Sequence, residues 1–138
     1  MFVDIGNAKI YTTAFGSTTA PVIVGIGGWI GSWELWAEPF AILSRSWRTI
    51  AFDHRGTGAT LAPVESITFD RLVNDVFAVL DAYAVEQCVL AAESAGALTA
   101  LGAALRNPQL DDPNYVMIDL EFDTSQQADI LLAAMRGV

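Results

Sequence analysis

A chain of 138 residues has room for one ordinary domain and one core, which excludes two full domains. Hydrophobic residues make up 53% of it and charged residues only 17%, enough apolar surface to offset the entropy of ordering the chain, so wholesale disorder is excluded too. Seven Lys+Arg against 16 Asp+Glu leave a formal net charge of −9, a sign that repels phosphate backbones and anionic bilayers, so no nucleic-acid or membrane partner is expected.

Met1 to Gly6 carry no basic stretch followed by an apolar run, and a cytoplasmic location is the expectation. The β-branched and aromatic run Ala8 to Phe15 predicts a strand that pairs with Phe2 to Ile5 across a Gly6-Asn7 turn, an opening hairpin. Pro21 to Ile26 is an unbroken apolar run ending in glycines, as a strand buried on both faces should be. Ser32 to Ser44 places Trp33, Trp36, Phe40 and Leu43 on one helical face, with a break expected near Pro39. Arg48 to Asp53 reads as a strand closed by the turn Arg55-Gly56-Thr57-Gly58.

Thr68 is the expected N-cap of a long helix whose stripe is Phe69, Leu72, Val73, Val76, Phe77 and Leu80. Gln87 to Ala92 predicts a buried strand, Ala95 to Arg106 a helix stopped by Asn107-Pro108, Tyr115 to Leu120 a last strand, and Gln126 to Met135 a closing helix. Strands alternating with helices at these intervals predict the α/β class: a mostly parallel sheet of about six strands, covered by helices on both faces. The lone cysteine, Cys88, and lone histidine, His54, rule out an internal disulfide, a cysteine zinc cage and a multi-histidine metal site, and no cofactor is expected.

Ligands of an open parallel sheet bind beyond the carboxyl ends of its strands. Ala92-Glu93-Ser94-Ala95-Gly96 joins a strand directly to a helix, and its small residues permit a strained turn that lifts Ser94 out at a positive helix end. Taken alone, that pattern reads first as a serine capping a helix. With Gly27-Gly28-Trp29 after one strand and Asp53-His54-Arg55-Gly56-Thr57-Gly58 after another, however, the chain resembles the α/β-hydrolase family from the hairpin to about Leu120. The resemblance implies that Ser94 is a nucleophile, that the backbone N–H groups of Trp29 and Ala95 form the oxyanion hole, and that Asp53 to Gly58 is scaffold. It departs from the family pattern at Gly27, where a histidine is usual, and at Ala92, where the elbow usually has glycine.

The same resemblance implies a small-molecule acyl substrate, with ester or related acyl hydrolysis as the reaction. It also implies a triad histidine beyond this chain, since His54 falls in the scaffold loop. The chain then reads as a single partial domain over residues 1–138, with 122–138 opening a cap, and as inactive by itself. Asp119 and Glu121 read either as a triad acid or as a solvated strand end. Trp29, Trp33 and Trp36 read as core ahead of an acyl pocket. Two other readings stay open: a non-catalytic pseudo-hydrolase module that self-associates through an exposed sheet edge, and a dinucleotide-binding domain with Asp53 on a ribose.

Overall fold

The computed structural model describes residues 1–106 and the short strand at 118–119. Six strands form one sheet in the order β1-β2-β4-β3-β5-β6. The opening hairpin pairs β1 (Phe2–Asp4) with β2 (Lys9–Phe15), Val3 opposite Ile10, and Gly6 turns the corner at φ 82° while donating its N–H to Asp4 Oδ1 at 2.9 Å. β2 then runs antiparallel to β4 (Arg48–Phe52), and from there the sheet is parallel: β4 beside β3 (Val22–Ile26), β3 beside β5 (Val89–Ala92), β5 beside β6 (Ile118–Asp119).

The continuous apolar runs belong to strands buried on both faces, and the two-residue period sorts their side chains into two cores. Val24, Ile26, Ile50, Phe52, Leu90 and Ala92 face α2 (Phe69–Ala82) and α3 (Ala95–Arg106), whose Val73, Val76, Val79, Ala100 and Ala103 complete that core. Ile23, Ala51, Val89 and Ala91 face the opposite side, under Trp36, Phe40 and Leu43. The result is a sheet between two helical layers.

The stretch predicted as one broken helix over 32–44 is a 3₁₀ turn, Trp33–Trp36, followed by α1 (Ala37–Leu43). Proline is tolerated only in the first turn of an α-helix, where its missing N–H has no intrahelical acceptor, so an α-helix containing Pro39 has to begin just before it. The expected face survives: Trp36, Phe40 and Leu43 are buried, and Trp33 packs against them half-exposed. Thr68 caps α2 as predicted, its Oγ1 accepting the Arg71 N–H at 3.4 Å. The expected closing helix over 126–135, the cap over 122–138 and Glu121 lie outside the described residues.

Candidate active site

β4, β3 and β5 are adjacent and parallel, so the segments that follow them emerge side by side at one edge of the sheet. After β5 the chain turns within two residues into α3. Ser94 sits in that turn at φ 51°, a left-handed conformation that costs a residue with a side chain about 1–3 kcal/mol. The surroundings hold it there. Glu93 N–H donates to the Ile26 carbonyl at 3.0 Å, and the Gly96 and Ala97 amides donate to Glu93 and Ser94 carbonyls at 2.9 and 3.0 Å. Gly96 permits this close seating, because a Cβ there would stand 2.5 Å from both the Ile26 and Gly27 carbonyl oxygens and force a shift.

The turn presents Ser94 to solvent while Ala92, Glu93 and Gly96 are buried. The loop after β3 abuts it: a Cβ on Gly28 would lie 3.1 Å from Ser94 Cβ and 3.6 Å from Oγ. Trp29 and Ile30 stand exposed at the tip of that loop. Glu93 lies buried beneath the turn, its Oε1 without a hydrogen-bond partner among the described residues.

The segment after β4 is built as a clamp. The buried Asp53 carboxylate accepts the Trp33 N–H through Oδ1 and the Ala59 N–H through Oδ2, both at 2.7 Å, which ties this loop to the start of the 3₁₀ turn. Gly58, at φ 50°, passes so near the carboxylate that a Cβ would overlap it. Both oxygens of Asp53 are thus committed to scaffold amides, and this corrects the dinucleotide reading, which needs that acid free for a ribose.

Arg55 is buried and makes four hydrogen bonds: Nε and Nη2 to Asp75 of α2 at 2.6 and 2.8 Å, Nη1 to Ser66 at 3.0 Å, and Nη2 to Asn7 of the hairpin turn at 3.0 Å. The sequence reading missed this node. Its signal is an aspartate at position 75 on the same helical face as Leu72 and Val76, where an unpaired acid would be excluded.

His54 is buried with its ring edge-on to Phe52, centroids 5.3 Å apart. Burial holds its pKa below the ordinary value of 6.5, while the Gly27 carbonyl, accepting from the imidazole, and the charges of Asp75 and Asp53 pull it partly back. Nδ1 has no hydrogen-bond partner among the described residues. The ring borders a half-open cavity of about 190 Å³ shared with Gly28, Trp29, Phe69, Ala95 and Leu98. The structure therefore gathers Ser94, Trp29 and Ala95 at one place. It brings Asp119 to the same sheet edge through the pairing of its backbone with Ala92, the last residue of β5. Trp33 and Trp36 belong to the core under the sheet.

A profile of the alpha/beta hydrolase fold matches residues 21–117. The chain belongs to that family. Within it, the chain is 29% identical over 92 residues to RutD of Pseudomonas syringae pv. syringae, provisionally named a carbamate hydrolase, and 33% identical over 94 residues to the RutD of Agrobacterium fabrum. These alignments cover 66% and 67% of this chain and 36% of each relative. The chain spans about a third of the length of the curated relatives it matches.

Solved structures of family members superpose on the same sheet. An epoxide hydrolase of Vigna radiata gives a TM-score of 0.75 at 30% identity, over 85% of this chain and 37% of that one. An enol-lactonase of Burkholderia xenovorans LB400 gives 0.73 at 26%, over 78% and 42%. As in the expectation from sequence, the chain is an α/β hydrolase in fold. No described helix is long and apolar enough to cross a membrane.

Proposed function

We propose that this chain carries the nucleophile and oxyanion half of a serine hydrolase acting on carboxylic esters or related acyl bonds, carbamates included, with Ser94 as nucleophile. The observation that carries the reading is the positive φ of Ser94 between β5 and α3, with Gly28 against it. A serine merely capping α3 needs no such strain, because a cap is satisfied in extended backbone. An exposed hydroxyl at the helix end meets the partial positive charge of unpaired amides, and the Trp29 and Ala95 N–H groups are the donors for the oxyanion that forms on attack.

The serine also needs a base. His54 is buried in the loop after β4, where burial lowers its pKa, and we assign the role to another histidine. The base is a histidine in a part of the protein that the matched third does not include, and the chain by itself turns over esters at background rates. Asp119, whose backbone pairs with Ala92 at the end of β5, supports the reading as a candidate acid, with Glu121 as the alternative. Residues 1–138 then form one partial domain, 122–138 open a cap, the location is cytoplasmic, and β6 offers an edge for self-association that sedimentation would detect.

The test is competition between serines within one chain. An alkyl fluorophosphonate should phosphonylate Ser94 ahead of Ser17, Ser32 and Ser44, as mapped by peptide mass spectrometry, and Ser94→Ala should abolish that adduct alone. Adducts spread evenly over the serines would remove the assignment. Robust turnover of p-nitrophenyl acetate, lost in both Ser94→Ala and His54→Ala, would instead make His54 the base.

A further inference from the structure

The half-open cavity beside the elbow lies between the loop after β3 and the first turns of α2 and α3, walled by Trp29, Ile67, Phe69, Leu72 and Leu98. Trp29, read from sequence as core, stands exposed at its rim together with Phe69 and Leu98. Large apolar side chains left bare around one concavity mark a binding groove. Among the described residues, no Asp, Glu, Lys or Arg lines it. The histidine in its wall, His54, is buried, and desolvation holds its pKa below 6.5, so at pH 8 the wall carries no charge. A charged group taken in would lose its water and find no counter-ion, at a cost well above what burying carbon returns.

Size and place narrow the occupant further. Pockets that take a whole ligand run to about 300 Å³ or more, so one of about 190 Å³ holds a single group of a substrate. An apolar cavity of ~150 Å³ admits benzene, which leaves space here for such a ring with small substituents. Gly28, Trp29 and Ala95 line the cavity and also flank Ser94, so a group seated in it belongs to the molecule whose acyl bond meets the serine. We propose that the cavity is the subsite for one uncharged, ring-sized apolar group of the substrate, with Leu98 at its mouth setting what enters. This rests on the hydrolase reading and narrows it: esters and carbamates with a neutral aryl or compact alkyl group are accepted, and those with a charge on that group are rejected.

The Ser94→Ala chain, which cannot react, is titrated at pH 8 with p-xylene, terephthalate and p-xylylenediamine, followed by the methyl resonances of Ile67 and Leu72. Both ionic probes are charged at each end of the ring, so neither can seat the ring and leave all its charge in solvent. p-Xylene should move the methyl resonances and bind about tenfold more tightly than either. The diamine is drawn to a chain of net charge −9, so its rejection reports the lining and not the overall charge. Leu98→Trp, which fills the mouth, should abolish p-xylene binding, while Leu105→Trp, on the same helix but outside the cavity, should leave it intact; both positions are exposed, so neither change disturbs the core. Similar affinities for the three probes, unmoved methyl resonances, or equal effects of the two variants would overturn the subsite. In the unaltered chain, p-xylene should slow phosphonylation of Ser94 several-fold. Selective labelling of Ser94 that p-xylene does not slow overturns the subsite only, whereas p-xylene binding with labelling spread over the serines overturns the nucleophile and with it the substrate class.

Discussion

Replacing Asp75 by leucine is the most exposing test of how the scaffold loop is held. Arg55 and Asp75 are each 2% exposed and joined by two hydrogen bonds, with Ser66 and Asn7 taking two more from the guanidinium. Asp75→Leu leaves a buried cation facing two neutral oxygens. Arg55→Met leaves a buried carboxylate with no other donor among the described residues. Each single change should cost about 3–5 kcal/mol, a large share of the ~5–15 kcal/mol that holds a domain folded.

The double variant removes both charges, and of the two neutral partners Ser66 keeps its 2.6 Å bond to the Pro63 carbonyl while Asn7 loses its acceptor role. It should cost only about 1–2 kcal/mol, less than either single variant. Urea unfolding followed by circular dichroism gives all four corners of the cycle. Because the pair is out of solvent, 0.5 M NaCl should leave the coupling unchanged. A double variant as unstable as the sum of the singles, or a coupling that fades with salt, would refute the argument.

Gly96→Ala should lower stability by about 1–2 kcal/mol despite alanine's better helix propensity, because the new Cβ meets two backbone carbonyls that cannot step aside; Gly102→Ala meets only the ends of Val73 and Phe69 and should cost less, with urea midpoints deciding. His54 titrates below 6.5 in the folded chain and near it when unfolded, so the unfolded state binds more protons just below pH 6.5. Stability should then fall as pH drops through that window, at up to about 1.4 kcal/mol per pH unit, and His54→Gln should flatten the fall in pH-dependent urea melts. Burial pushes the Cys88 thiol up to about 12, so a thiol reagent at pH 8 should label it only at the rate of unfolding, accelerating with urea.

What could be read from residues alone was whatever local pattern determines. The buried strands announced themselves as apolar runs, α2 by its stripe and its Thr68 cap, and the elbow by small residues around Ser94. The α3 helix shows where such reading ends. Its leucines invite an inward face, yet Leu98, Leu101 and Leu105 point outward and Gly96, Thr99, Ala100, Gly102 and Ala103 are buried. Backbone proximity, not side-chain hydrophobicity, chose that face: only small residues let α3 sit on the carbonyls that end β3 and against Val73 of α2. The Arg55 node escaped for a related reason, since Asn7, Arg55, Ser66 and Asp75 are distant in sequence and no period links them. The helix start at Ala37 followed from Pro39, but only once a 3₁₀ turn was admitted before it.

The place of β3 between β4 and β5 fixes when, as well as where, the elbow can exist. Val89 pairs with Ile23 across most of the described chain, so that ladder closes a long loop, whereas the β1–β2 hairpin and the turns of α2 need only neighbours. Nothing local favours φ 51° at Ser94; it is imposed once β5 has zipped onto β3 and Gly96 has seated on the Ile26 and Gly27 carbonyls. If the folding barrier precedes that closure, the strain acts only on the native side of it. Ser94→Gly should then slow unfolding more than it changes the folding rate, which stopped-flow urea chevrons would read; a change confined to the folding limb would refute it.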